Sequence, residues 1–77
     1  MKYLVIEIQT DENGIVGNLV YTYDSKEAAE SAYLAKRASA LISAVNIHTI
    51  MWIDNRGRTY EAKTYIHPVV VPETPEE

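Results

Sequence analysis

Apolar and polar residues alternate from Lys2 to Gln9, with Leu4, Ile6 and Ile8 in one phase and Tyr3, Val5 and Glu7 in the other. A period of two predicts a strand. Asp11-Glu12-Asn13-Gly14 follows, and Asn-Gly is a strong hairpin signal because both residues tolerate positive φ. A second strand is expected over 15–23, with Val16, Asn18, Val20 and Thr22 on one face and Leu19, Tyr21 and Tyr23 on the other; Gly17 suggests a bulge. The pattern then shifts to a helical period over 25–44. Ser25 is the expected N-cap, with Asp24 as an alternative one residue earlier, and Glu27 suits the first turn. Asn46 suits a helix stop. Two further strands, 47–54 and 58–66, flank Asp54-Asn55-Arg56-Gly57, which predicts a type I turn with Gly57 in the left-handed region. His67-Pro68 ends the pattern.

These elements define an α+β fold, a two-layer ββαββ domain over residues 1–67 with an extended, acidic, Pro-rich tail over 68–77. The helix carries the chain back across the sheet, so the third strand can pair antiparallel with the first. The expected order is 2-1-3-4, four antiparallel strands with one helix on one face. On the helix, Ala28, Ser31, Ala35, Ala38, Leu41, Ile42 and Val45 gather on one side with Leu34 at its edge, which predicts the core stripe. Ala29, Tyr33, Ala40 and Ala44, broken by Lys36 and Arg37, fall outward.

Two-sided apolarity marks the sheet. On the third strand Ile47, Met51 and Ile53 oppose Ile50 and Trp52, and periodicity alone leaves open which set meets the helix. If Leu4, Ile6 and Ile8 face the helix, Tyr3 and Val5 lie on the open face. The residues expected at a partner interface there are Tyr3, Val5, Val20, Ile50, Trp52 and Tyr60. Two-sided apolar strands are typical of sheets covered on both faces.

Composition narrows the chemistry. At 77 residues the chain is one small domain, and with no cysteine it has neither disulfides nor thiolate ligands. Oligomerisation is the remaining device for extra stability. Net charge is −4, but without Glu73, Glu76 and Glu77 eight acids face seven bases. That balance argues against nucleic acid as a partner, although an aromatic sheet could stack bases. His48 and His67 have no carboxylate or nucleophile set visible beside them in sequence, and Asp11-Glu12-Asn13-Gly14 is too short for a calcium loop. No catalytic residue, cofactor or metal is therefore assigned. The opening turns acidic too early for a signal peptide, and no apolar run spans a bilayer, so a cytoplasmic, membrane-free protein is expected.

The run Lys2-Tyr3-Leu4-Val5-Ile6-Glu7-Ile8-Gln9-Thr10, with Gly14, Val16-Gly17-Asn18-Leu19-Val20, Asp54-Asn55-x-Gly57 and His67-Pro68, resembles small uncharacterised proteins of prophage-like bacterial regions. That resemblance implies a mobile-element context and no catalytic residue. Met1-Lys2-Tyr3 and Asp24-Ser25-Lys26-Glu27-Ala28-Ala29 look more faintly like the N-terminal domain of HicB-type antitoxins. The Pro-Gly-Cys-like segment before the helix and a C-terminal DNA-binding element are missing, which puts toxin neutralisation and operator binding in doubt. The expected role is a non-enzymatic interaction or structural module, as a homo-oligomer or with a small protein partner. The alternatives are an antitoxin-like or regulatory binder of another small protein and, third, an enzyme whose site is shared between subunits.

Overall fold

The computed structural model describes residues 1–14 and 16–67. The expectation of an extended, acidic, Pro-rich tail over 68–77 lies outside the described residues. In chain order the elements are β1 (Tyr3–Thr10), β2 (Val16–Tyr23), α1 (Lys26–Leu41), β3 (Ile47–Asp54) and β4 (Thr59–Ile66). They form one sheet of order β2-β1-β3-β4, with every neighbouring pair antiparallel and α1 packed on one face. No helix among the described residues is long and apolar enough to cross a membrane.

The local signals account for the element ends. Ser25 is the N-cap: its backbone is extended and its hydroxyl accepts the Ala28 N–H at 3.0 Å. The two hairpins close with the same Asp-x-x-Gly turn. In each, the Gly N–H donates to the Asp carbonyl at 3.0 Å, the Asp carboxylate accepts the N–H two residues on, and Gly takes positive φ, +81° at Gly14 and +90° at Gly57. Asn13 keeps negative φ, so the first hairpin departs from the two-residue Asn-Gly geometry that its sequence suggests. The Asp11 side chain supplies the difference by fixing the turn from within.

Three boundary expectations are corrected. Pairing between β1 and β2 runs unbroken through Gln9↔Gly17, so Gly17 makes no bulge; the irregularity lies in β4, opposite Trp52 and Ile53. The helix stops at Leu41, short of Ala44, because Ile42 leaves helical geometry and the Ile42 and Ser43 N–H groups tighten onto the Ser39 and Ala40 carbonyls. A β-branched residue and a serine here favour leaving the helix. Asn46 is no left-handed cap either. It bridges to the end of β4, its side chain donating to the His67 carbonyl at 2.7 Å.

The largest correction concerns the face of the helix. Ala29, Tyr33 and Ala40 are fully buried against Val5, Ile50 and Trp52, while Ala28, Ser31, Leu34, Ala35, Ala38, Leu41 and Ile42 are exposed. The buried stripe advances by four, three and four residues through Ala29, Tyr33, Lys36 and Ala40, so it is as helical as the one expected. Lys36 and Arg37 do not break it. Their stems are half-buried, and their cationic heads lie 4.3 Å from the Tyr21 ring centre and 5.8 Å from that of Tyr33. Small residues at 29 and 40 let the helix sit close while Tyr33 fills the space between.

Enlarging a side chain in the tight stripe should therefore cost stability, whereas the same change on the outer stripe should not. Ala29→Leu is expected to lose about 1–3 kcal/mol by overpacking, and Ala35→Leu about 0.5 kcal/mol or less. Urea denaturation followed by circular dichroism compares the two; equal costs would contradict this helix orientation.

Candidate interaction surface

The face beneath the helix is aromatic and polar. Trp52 stacks on Tyr60 with ring centres 4.5 Å apart, Tyr33 lies 6.5 Å from Trp52, and Tyr3 lies 6.2 Å from Tyr60. The irregularity in β4 makes this possible, because Tyr60 is the extra residue between the Ile53↔Thr59 and Trp52↔Glu61 pairs. Tyr60 then reaches Trp52 while its neighbour Glu61 accepts from Arg37 of the helix at 2.7 Å. The Tyr33 hydroxyl lies beside Arg37 and Glu61 without a hydrogen bond of good geometry, and burial pushes its ionisation up.

Two polar groups lie deeper. The Nε2–H of His48 donates to the Glu7 carboxylate at 2.8 Å, and both residues are buried, 4% and 6% exposed. The Nδ1 of His48 has no partner among the described residues. An imidazole beside a carboxylate is the raw material of a general base. Here both side chains are buried, and the bond gives the Glu7 carboxylate its partner. Asp54, also buried, accepts from the Arg56 and Arg58 N–H groups at 2.8 and 3.1 Å and from the Tyr60 hydroxyl at 3.2 Å. Burial raises its affinity for a proton, but these three hydrogen bonds outweigh that and hold it below the ordinary carboxylate range. His67 donates from Nε2 to the Ala40 carbonyl at 2.9 Å, fastening β4 to the helix C-terminus. No group of three His, Cys, Asp or Glu side chains that could hold a metal occurs among the described residues.

This arrangement redistributes the six residues expected at the interface. Val5, Ile50 and Trp52 are core, and Tyr3 and Tyr60 pack against them. Only Val20, 57% exposed, lies on the open face. The physical reason is phase. Glu7, His48, Asp54, Glu61 and Lys63 share the side of the sheet that carries these aromatics, where Glu7 bonds to His48 and Glu61 to Arg37 of the helix.

Among the described residues, no element packs over the opposite phase. Register places Leu4, Ile6 and Ile8 of β1 beside Ile53, Met51 and Thr49 of β3, with Thr22, Val20 and Asn18 of β2 outside them. On the other flank Ala62 and Thr64 of β4 sit beside Met51 and Thr49, and Ile66 beside Ile47. The central row is therefore Val20, Ile6, Met51 and Ala62. No strand residue on this face is charged. The Thr49 and Thr64 hydroxyls bond to each other at 2.9 Å, so even the polar flank is internally satisfied. One end is closed by the Lys2–Asp24 ion pair, whose ammonium, first by hydrogen bonding and then by charge, holds Asp24 below its ordinary range. A sequence signal for this face existed: in β1 and β3 all the acids and the histidine occupy one phase and only aliphatic, methionine and threonine side chains the other.

No protein-family model, curated protein or solved structure matches the chain.

Two measurements test the polar side. His48→Leu strands the buried Glu7 carboxylate and should cost about 3–5 kcal/mol, while Glu7→Leu with His48→Leu should recover most of that loss. A chain of this length typically has only about 4–12 kcal/mol in all, so the single variant should be close to unfolding in a urea titration; equal losses in both would contradict the pairing. The depressed Asp54 carboxyl makes a contribution present above the unfolded value, about pH 3.9, and lost as pH falls through the lower folded value. Thermal midpoints should drop on acidification below about pH 4, and less steeply in Asp54→Asn; identical slopes would count against the three-bond cradle.

Proposed function

We propose that this chain is a non-enzymatic protein-interaction module that docks through the uncharged aliphatic face of its sheet. The observation that carries the reading is the division of labour between faces. The helix covers the phase holding Glu7, His48, Trp52 and Tyr60, and among the described residues no element packs over the half-buried Leu4, Ile6, Ile8, Met51 and Ile53 of the opposite phase. A contiguous apolar surface ringed by polar residues is characteristic of a docking site. The buried Glu7–His48 pair offers no open chemistry to set against this reading.

Charge placed at the centre of the face should leave the domain folded, because Ile6 and Met51 lie on the side of the sheet away from the core beneath the helix. Ile6→Glu combined with Met51→Glu should keep its circular dichroism spectrum and cooperative melting. The natural chain should either bind a hydrophobic dye such as anilinonaphthalene sulfonate or hide the face by association, and the double variant should do neither. A double variant with the dye binding and association of the natural chain would overturn the reading.

A further inference from the structure

We infer that the occupant of the open sheet face is a second copy of this chain, packed sheet to sheet about a two-fold axis with the helices outside. The inference rests on the interaction-module reading and adds the partner to it. Three features of the face support a copy over a different protein.

The first is charge. The strand residues of the face carry none, so a copy meets no like-charge repulsion, and nothing on the face selects an oppositely charged partner. All of the strand carboxylates, the one strand lysine and His48 are directed to the helix side, where hydrogen-bonded or solvated positions hold them away from the contact. The body of the chain is also close to neutral, which leaves little long-range resistance to self-association.

The second is area. Four strands spaced about 4.8 Å apart and eight residues long at about 3.3 Å each give a planar footprint of about 500 Å². Two such faces together remove about 1,000 Å² or more once side-chain relief is included, the threshold that a biological interface is expected to clear. A single extended segment or one helix would cover only part of that width and leave the central row half open.

The third is shape. The sheet is four strands wide with its apolar row, Val20, Ile6, Met51 and Ala62, running across the middle. An isologous contact lays that row on its own image, with Leu4 and Ile53 on one side and Ile8 and Thr49 on the other. Aligned sheets pack about 10 Å apart with side chains interdigitating. Unbranched Met51 is suited to filling irregular gaps at such a contact.

Sedimentation equilibrium of the full chain at high micromolar concentration tests this. Twice the monomer mass is expected, falling to the monomer mass in Ile6→Glu/Met51→Glu, with circular dichroism confirming that the variant is folded. Val20→Glu, at an exposed position of an edge strand, gives the same readout with less risk to folding and should weaken association at least tenfold. Leu34→Glu/Leu41→Glu, on the outer stripe of the helix, should leave the dimer intact. A dimer that survives the sheet-face variants but dissociates in the helix variant would overturn the inference. A monomeric natural chain whose hydrophobic-dye binding is lost in Ile6→Glu/Met51→Glu would overturn the second copy and spare the docking reading. A monomer that binds no dye would overturn both.

Discussion

One helix cannot cover a four-stranded sheet on both sides, and the rest of this structure follows from which side it takes. A helix is about 10–12 Å across with its side chains. It therefore needs long flanking groups to shield four strands even on one face. Lys36 and Arg37 supply them, laying half-buried stems over Tyr21 and Tyr33. Tyr33 provides the central contact, wedged between the helix and Trp52, with Ala29 and Ala40 letting the backbone approach on either side of it.

The chosen side is the polar one, and that choice is physically coherent. Glu7, His48 and Asp54 each need a hydrogen-bond partner if buried. Those partners come from within the same layer: Nε2–H of His48 for Glu7, and the hairpin backbone with Tyr60 for Asp54. Directional bonds of this kind favour a single arrangement over its near-equivalents, which a purely aliphatic layer does less well. The aliphatic phase, by contrast, asks only to be removed from water. It can be satisfied by any apolar surface of matching shape.

The strand and helix order, the antiparallel pairing and the Ser25 cap were all legible in the sequence, because each depends on local period or on one residue's hydrogen bonding. Facing was not. In β3 both phases are apolar, and in the helix two stripes of similar quality lie on different sides, so periodicity has no preference to report. Aliphatic content pointed to Leu4, Ile6 and Ile8 as the inner set and to Leu41 and Ile42 on the inner stripe; the structure places both groups outside. Two things decided otherwise. Aromatic rings with polar edges, here Tyr33, Tyr60 and Trp52, pack as well as aliphatics and bring hydrogen-bonding groups with them. Charged residues with long stems, counted as breaks in the stripe, are half-buried on it. Phase was also hidden in β4, where the irregularity turns both Tyr60 and Glu61 toward the helix.

Because the chain contains a single tryptophan, its fluorescence reports the facing of the sheet directly. Trp52 is 4% exposed, beneath the helix of its own chain. Its emission should be blue-shifted and resistant to acrylamide and iodide at every protein concentration, including dilutions at which any association has been lost. An indole that becomes quenchable and red-shifted on dilution would place Trp52 on the open face and contradict the account.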